Sequence, residues 1–320
     1  MLVCGPLSRL NQIMPQSRTQ LRLGTRGSKL ARVQAEWVRG LLAARGIGCE
    51  LVIVKTSGDR IQDRPLADAG GKGLFTKELE QALLANEIDL AVHSMKDVPV
   101  GFPEGLALGA ILPREDPRDA FISHIAATLD GLPRGARVGT SSVRRQAQLA
   151  RARPDLDIVM LRGNVDTRLA RLDAGEYGAI LLAHAGLRRL GLAERVTSLL
   201  PAESWLPALA QGAVGIEIRA GDDATRAAVA ALNDERTAIE LACERGFQAT
   251  LDGSCRTPIA GLARYADGHL AFRGEVLAPD GTDFVATGFD QAVAGVGEAH
   301  SFGVRAGKDV KPRAARWLGL

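Results

Sequence analysis

Aromatic residues are scarce in this chain, since Phe, Trp and Tyr together make up 4% of its 320 residues. Proteins that hold single-stranded nucleic acid stack successive bases on aromatic rings, so this composition argues against that class. The formal net charge is only +3, which by itself predicts no polyanionic partner. No apolar run reaches the roughly 20 residues that a membrane-spanning helix needs. We therefore expect neither nucleic acid nor a membrane among the partners.

Paired cysteines are lacking as well. The four cysteines are Cys4, Cys49, Cys243 and Cys255, and none belongs to a CxxC motif. They have no metal-ligand spacing with the five histidines, so we predict no metal site. Residues 1–19 have neither the apolar core nor the cleavage site of a signal peptide. We expect a disordered tail there and a cytoplasmic protein, whose reducing surroundings disfavour disulfides.

The chain is long enough to predict several domains. A hydrophobic content of 46% is typical of globular proteins, and 320 residues are too many for one core. From residue 21 onward, strand-like runs alternate with helical patterns, which predicts a doubly wound α/β arrangement. We predict strands at 21–25, 50–55, 88–92, 136–138 and 179–183, and helices at 28–44 and 74–85.

An internal repetition predicts two domains of similar build. A glycine-containing loop, a helix, a strand and a histidine follow one another twice, ending at His93 and again at His184. The charged segment 113–118 reads as the linker between the two halves.

The last third of the chain has a different character. A helical pattern at 234–247 is followed by strand-like runs between 259 and 287, with a hairpin turn signal at Asp280-Gly281. These features predict a small α+β domain. Residues 299–320 are rich in Gly, Lys and Arg, and we expect no amphipathic helix there.

The segment 88–99 carries the first candidate site. An apolar strand-like run ends in a polar cluster that contains His93, Ser94, Lys96 and Asp97. In open α/β sheets, ligands gather at the carboxyl ends of the strands. Asp97 is a candidate acid/base, and Lys96 beside it favours its ionised form. On these residues alone, the simpler interpretation, a strand-end turn with solvated charges, is favoured.

The second candidate site lies in a basic segment. Between residues 134 and 171 there are nine arginines and three aspartates, a local charge of +6. The run 139–145 places hydroxyl residues just before a helix, where backbone N–H groups favour an anion. Arg144 and Arg145 add guanidinium groups suited to carboxylates or phosphates. The alternative interpretation is a capped helix with solvated arginines.

Single residues in loops complete the candidates. Lysine is rare relative to arginine, yet Lys72 and Lys96 both lie in candidate loops. A compact ammonium group, and not a guanidinium, is one reason to have lysine at these two positions. Cys255 lies beside Arg256, which would favour its thiolate and hence covalent chemistry. Taken alone, Cys255 is better interpreted as a small buried loop cysteine.

Seven segments together resemble porphobilinogen deaminases, also called hydroxymethylbilane synthases, in sequence and in order. The segments are 26–28 (RGS), 70–75 (GGKGLF), 93–99 (HSMKDVP), 139–145 (GTSSVRR), 161–168 (LRGNVDTR), 211–213 (QGA) and 253–258 (GSCRTP). The resemblance covers about residues 20 to 280. It implies three domains, the first two hinged like a periplasmic binding protein. We predict a tail at 1–19, a first domain at 20–112 with 213–232, a second at 113–212 and a third at 233–320.

The resemblance also implies an activity and its residues. Asp97 would be the catalytic acid and base, and Cys255 would carry a dipyrromethane cofactor through a thioether. Four porphobilinogen molecules would be added head to tail with loss of ammonia, and hydrolysis would release hydroxymethylbilane. Further cofactor contacts are implied for Asp97, Lys72, Ser142, Arg144, Arg145 and Gly163, and substrate contacts for Arg26, Ser28, Arg162, Arg168 and Arg189. We expect a monomer that acts on a small molecule.

Two other classes of protein fit part of the sequence. A solute-binding protein of the same two-lobed fold would bind an anion without reacting, but it needs neither Cys255 nor Asp97. An RNA-binding protein would use the arginine-rich segment, but the few aromatics and the small net charge argue against it. Within the resemblance, Ala210 departs from the pattern, because the family usually has glycine there.

Overall fold

A computed structural model of the chain describes residues 20–60, 73–251 and 257–318. Within these ranges the backbone forms two five-stranded sheets and one three-stranded sheet, each covered by helices. The predicted fold class, two doubly wound lobes with a small α+β domain, is confirmed. The described helices include none that is both long and apolar enough to cross a membrane.

The first lobe is built from two separated parts of the chain. Its first part contains β1 (Gln20–Arg26), α1 (Lys29–Ala43), β2 (Gly48–Val54), α2 (Ser57–Arg60), α3 (Lys77–Leu84), β3 (Leu90–Ser94) and β4 (Leu106–Ile111). Its second part contains β10 (Val214–Arg219) and α7 (Asp223–Ala230). The strand order is β2-β1-β3-β10-β4, with β10 antiparallel to both of its neighbours.

The parallel strands of this sheet fix where a site can form. Strand β1 runs parallel to both β2 and β3, so their carboxyl ends meet at one edge of the sheet. Helix α1 packs on the sheet through Ala35, Val38 and Leu42, whose helical spacing gives one apolar face. The first turn of α1 therefore opens onto the same edge, directly after β1.

The second lobe repeats the strand order of the first. It contains β5 (Asp119–Ser123), β6 (Arg137–Gly139), α4 (Val143–Ala152), β7 (Asp157–Val159), α5 (Val165–Asp173), β8 (Ala179–Ala183), α6 (His184–Arg189) and β9 (Ser198–Leu199). The order is β7-β6-β8-β5-β9, and β5 is antiparallel to both neighbours. Each lobe thus has an antiparallel fourth strand, and the predicted internal repetition is confirmed.

The chain crosses between the lobes twice, and the two crossings touch each other. The amide of Glu115 on the first crossing donates to the carbonyl of Gly212 on the second, at 3.2 Å. Gly212 has a φ of 92°, and a Cβ there would collide with the backbone carbonyl of Glu115. Beside it, Ala210 also has a left-handed backbone, with a φ of 59°. Glycine adopts that conformation without strain, which fits the glycine that the resemblance implies at this position.

The third body packs two helices against an antiparallel sheet. It contains α8 (Glu235–Thr250), β11 (Ile259–Ala266), β12 (His269–Leu277), β13 (Phe284–Ala292) and α9 (Val296–Leu318). The sheet order is β11-β12-β13. Phe247 and Phe272 lie at the centre of its core, with their ring centroids 5.1 Å apart.

The expectation that residues 299–320 lack an amphipathic helix is wrong, since α9 occupies most of that segment. Small residues recur along it at helical spacing and form its buried face, namely Ala299, Gly303, Ala306, Gly307, Val310 and Ala314. A Cβ at Gly303 would collide with the carbonyl oxygen of Cys243 on α8. The glycines therefore allow two helix backbones to approach closely, and they do not break the helix.

Several element boundaries also differ from the sequence prediction. Strand β3 begins two residues later than predicted and includes His93 and Ser94. Strands β4, β5, β7 and β9 were not predicted. Two of them, β7 and β9, have three and two residues, which is too short for an alternating pattern to be recognised.

Candidate active site

Asp97 lies at the end of the first-lobe strand β3, on a short 3-10 turn formed by Met95–Asp97. Met95 is buried below the turn, and a Cβ at Gly215 on the neighbouring strand would collide with its sulfur. The amide of Val98 donates to the Met95 carbonyl at 3.3 Å and closes the turn. The Asp97 side chain is 32% exposed, so the turn presents a fixed carboxylate at the edge of the sheet.

Arg26 ends strand β1 beside this carboxylate. Its Nη1 atom lies 3.8 Å from Oδ2 of Asp97. The guanidinium also lies over the ring of Phe75, with 4.0 Å from Cζ to the ring centroid, which restricts its position. Ser28 follows as the N-cap of α1, where its hydroxyl accepts from the amide of Ala31 at 3.3 Å. Arg26 and Ser28 are thus placed at the same sheet edge as Asp97.

The second lobe presents two helix N-termini at its corresponding edge. Ser142 caps α4 and accepts from the amide of Arg145 at 3.4 Å. Asn164 caps α5, directly after Gly163, whose φ is 109°. Arg168 on the first turns of α5 donates through Nε to the Gly163 carbonyl at 2.8 Å. The positive ends of two helices and the side chain of Arg168 therefore share one edge.

The two edges face each other across a cleft. Lys29 Nζ of the first lobe lies 3.5 Å from Asp166 Oδ1 of the second. The electrostatics of Arg168 indicate the same arrangement. Burial, together with the charges of Arg145 and Arg162, lowers the pKa of Arg168 to about 10, and the charge of Asp97 opposes this decrease. Arg168 therefore lies within electrostatic range of the opposite lobe's carboxylate.

Lys96 is the neighbour of Asp97 on the 3-10 turn. Its side chain keeps solvent-exposed surface, but the surrounding protein disfavours the charged form and lowers its pKa to about 8. Asp97 and Asp119 raise this pKa, whereas Arg145 and Arg144 lower it. Lys96 consequently carries a proton that it can lose near neutral pH.

Arg144 and Arg145 are bound to an internal carboxylate that sequence reasoning missed. Asp119, the first residue of β5, lies 2.6 Å from Nη1 of Arg144 and 2.7 Å from Nη2 of Arg145. It also accepts from Nε1 of Trp205 at 2.9 Å and from Nε2 of Gln211 at 2.7 Å. These bonds hold the pKa of Asp119 well below its ordinary value despite complete burial.

Both arginines also donate hydrogen bonds to backbone carbonyls. Arg144 donates to the Leu206 carbonyl at 3.1 Å, and Arg145 donates to the Leu181 carbonyl at 2.9 Å. Each keeps a buried Nε–H without a hydrogen-bond partner among the described residues. One donor therefore remains unused at each guanidinium. Sequence reasoning missed Asp119 because this residue, which pairs with both arginines, lies in β5, a strand that was not predicted.

Arg189 lies at the crossings between the lobes. It ends α6 and donates from Nη2 to the carbonyl of Gly212 at 2.6 Å. Its Cζ atom lies 5.7 Å from the ring centroid of Trp37 on α1. Arg189 and Trp37 line a cavity of about 390 Å³ together with Gln34 and Glu115. Burial lowers the pKa of Arg189 to about 10.

Two residues of the first candidate cluster make contacts within the first lobe. His93 is buried, with Nε2 2.9 Å from Oε2 of Glu217 on the adjacent strand β10. Ser94 accepts from the amide of Gln34 on α1 at 2.9 Å. Both residues belong to strand β3, and these contacts tie them to neighbouring elements of the first lobe.

Lys72 and Cys255 lie outside the described residues. The two described cysteines are Cys49 and Cys243. Burial raises the pKa of the Cys49 thiol to about 11 and raises that of Cys243 as well, so both are protonated and poor nucleophiles. Among the described residues, no three His, Cys, Asp or Glu side chains lie close enough together to hold a metal ion.

The geometry defines a two-lobed protein with one carboxylate facing a group of cations. The model of the family described as "Porphobilinogen deaminase, dipyromethane cofactor binding domain" matches residues 21–227, and "Porphobilinogen deaminase, C-terminal domain" matches 238–311. The chain is 53% identical over 296 residues to the porphobilinogen deaminase of Nitrobacter hamburgensis, covering 91% of this chain and 93% of that protein. It is 48% identical over 305 residues to that of Paracoccus denitrificans, covering 94% and 96%. The chain belongs to the porphobilinogen deaminase family.

Solved structures of low sequence identity also align with part of the chain. The methionine-binding protein MetQ aligns with a TM-score of 0.44 and 14% identity, covering 67% of this chain and 89% of that one. A periplasmic substrate-binding protein of an ABC transporter from Coxiella burnetii aligns with a TM-score of 0.44 and 13% identity, covering 66% and 91%.

Proposed function

We propose that this enzyme joins four porphobilinogen molecules head to tail, with loss of one ammonia each, and releases hydroxymethylbilane by hydrolysis. The observation that carries the proposal is the position of Asp97, 3.8 Å from Arg26 and within electrostatic range of Arg168 on the opposite lobe. One carboxylate is thereby held among cations contributed by both lobes, in a chain of the porphobilinogen deaminase family.

The cations suit the substrate. Porphobilinogen carries an acetate and a propionate on each pyrrole ring, so a growing chain accumulates carboxylates. Guanidinium groups bind carboxylates through two parallel hydrogen bonds, and partial burial strengthens those bonds. We assign substrate binding to Arg26, Ser28, Arg162, Arg168 and Arg189.

Asp97 acts at the reacting carbon and nitrogen. Loss of ammonia from porphobilinogen leaves a cationic azafulvene, which a fixed carboxylate stabilises electrostatically. The leaving amine departs as ammonia after it takes up a proton, and coupling of the next ring releases a proton from a pyrrole carbon. Asp97 can give the first proton and accept the second, so the group returns to its starting state.

The residues around the cleft also fit a polycarboxylate cofactor. A dipyrromethane would supply the first rings of the chain, and we propose that Cys255 holds it covalently. The raised thiol pKa values of Cys49 and Cys243 support this choice, because neither buried thiol is suited to form the bond. We assign the remaining cofactor contacts to Asp97, Lys72, Ser142, Arg144, Arg145 and Gly163. The unused Nε donors of Arg144 and Arg145 support a role toward an anion.

Further parts of the proposal concern the setting of the enzyme. We place it in the cytoplasm as a monomer whose partner is the small molecule porphobilinogen, without nucleic acid or membrane. We assign the first domain to 20–112 with 213–232, the second to 113–212 and the third to 233–320; the tail predicted at 1–19 lies outside the described residues.

Intact-mass measurement of the purified protein tests the proposal. We expect a mass above the sequence mass by one dipyrromethane, and peptide mapping that places the adduct on Cys255. Cys255→Ser should lose the adduct and nearly all turnover of porphobilinogen. Cys49→Ser is the matched control, because it removes a thiol from the same fold and should keep both.

An active enzyme without the added mass would contradict the covalent cofactor. Binding of porphobilinogen without ammonia release would instead identify an anion-binding protein of the same two-lobed fold.

A further inference from the structure

Arg245 lies on α8 of the third body, yet its guanidinium reaches the first lobe. Nη2 donates to the carbonyl oxygens of Pro99 and Val100, both at 2.8 Å. Nη1 donates to the carbonyl oxygen of Val98 at 3.4 Å. The guanidinium therefore binds three successive carbonyls of the chain that leaves the Asp97 turn.

The rest of the environment keeps this guanidinium in place. Its Cζ atom lies 5.4 Å from the ring centroid of Phe102, which follows the bound carbonyls along the chain. Val98 is buried in an apolar cluster that also contains Met95 and Leu241. The buried Glu217 carboxylate favours the charged form of Arg245, although burial lowers its pKa to about 10. The group remains a cation at neutral pH.

The segment needs such a partner for a structural reason. Pro99 has no N–H and fixes its own φ, so the segment cannot continue β3 with a strand's hydrogen bonds. Three carbonyls that converge on one point require several donors from one group. A planar guanidinium provides five N–H donors in a fixed arrangement, whereas an ammonium provides three at a single nitrogen.

We propose that Arg245 is a positioning residue that fixes the Asp97 carboxylate in the cleft from the third body. The proposal rests on the catalytic role of Asp97. Arg245 holds the residues that follow the 3-10 turn, and Met95 holds the turn from below. The same helix continues for five residues beyond Arg245, to Thr250, and leads toward the segment that contains Cys255. One helix thus connects the reacting carboxylate with the part of the chain that carries the cofactor cysteine.

Kinetics of Arg245 variants tests the proposal. In Arg245→Gln the carbonyls lose most of their donors, and Asp97 gains freedom to move away from its productive position. Displacements of about 1 Å can cost about a hundredfold in rate, so we expect kcat to fall by about 10- to 100-fold. KM should change by less than about twofold, because the cations that bind carboxylates are untouched. Intact mass should show the same adduct as in the wild type.

Two further variants separate positioning from general destabilisation. Arg245→Lys keeps the charge but offers fewer donor directions, and should restore kcat in part. Arg236→Gln, on the same helix, removes an exposed arginine that pairs with Glu240 and should leave kcat and KM unchanged. If Arg245→Gln is insoluble, Arg245→Lys tests the proposal instead. We then expect a lowered kcat, an unchanged KM and the same adduct as in the wild type.

An unchanged kcat in Arg245→Gln, or in Arg245→Lys when it must decide, would overturn the proposal. A loss of kcat that matches a loss of adduct or of folded protein would overturn it as well. These outcomes leave the catalytic role of Asp97 standing, because that role fails only if Asp97→Asn itself retains turnover.

Discussion

The two lobes have the same strand order but different chemistry at the ends of equivalent strands. Strand β3 of the first lobe and β8 of the second occupy the same place in their sheets. After β3 the chain makes a 3-10 turn that presents Asp97, whereas after β8 it begins α6, which ends in Arg189. The same scaffold thus places an acid in one lobe and a base-rich helix in the other.

Other equivalent positions are alike. Strand β1 leads to α1 with the N-cap Ser28, and β6 leads to α4 with the N-cap Ser142. The lobes therefore share their N-capped helices and differ in the elements that follow β3 and β8. Under the proposed function, this repeated fold would separate two tasks. Proton transfer would belong to the first lobe, and both lobes would bind the substrate carboxylates.

Removing the charge of Asp97 should have the largest effect on turnover, because it removes the acidic group that distinguishes the first lobe from the second. Asp97→Asn keeps the size of the side chain but cannot stabilise a cation, so we expect turnover to fall by at least about a hundredfold. Substrate binding, which depends on the cations, should persist. Asp97→Glu should retain a small residual rate and accumulate enzyme–substrate intermediates, which single-turnover assays with intact-mass detection would reveal. Near-normal elongation by Asp97→Asn would show that the carboxylate is not the catalyst.

Removing a cation from the second lobe should give the opposite kinetic pattern. In Arg168→Leu we expect KM for porphobilinogen to rise by about tenfold or more, the scale of a lost charge-assisted hydrogen bond. The matched control is Arg171→Leu on the same helix, because Arg171 pairs with exposed Glu176 and not with the cleft. Equal effects of the two substitutions would mean that only the net charge of the lobe matters.

The pH dependence of Lys96 sharpens the comparison within the first lobe. Since its pKa is lowered to about 8, the ammonium is present below that pH and is lost as the pH rises through it. KM should therefore rise above about pH 8, by no more than about fivefold for a solvent-accessible charge. Lys96→Arg keeps its charge at higher pH and should abolish this rise. A rise of the same size in both proteins would assign the titration to another group or to the substrate.

The sequence correctly predicted the fold class, and it correctly placed Asp97 after the end of a strand. Both predictions rest on local patterns, namely the alternation of strands and helices and the polar residues that follow an apolar strand. It failed where the determining contact is distant in the chain. Asp119 forms ion pairs with Arg144 and Arg145 from 25 and 26 residues away. The helix at the end of the chain was not predicted, because the role of its glycines depends on how closely α8 approaches.

The position of β10 between β3 and β4 has a consequence for synthesis on the ribosome. The first lobe cannot complete its sheet until residues 214–219 emerge, which happens only after the whole of residues 119–199 has been made. All strands of the second lobe, in contrast, are contiguous in the chain. Domains fold as units during translation, so the lobe that is second in sequence is the first that can be completed. Until β10 has been made, β3 and β4 of the first lobe lack the strand that lies between them.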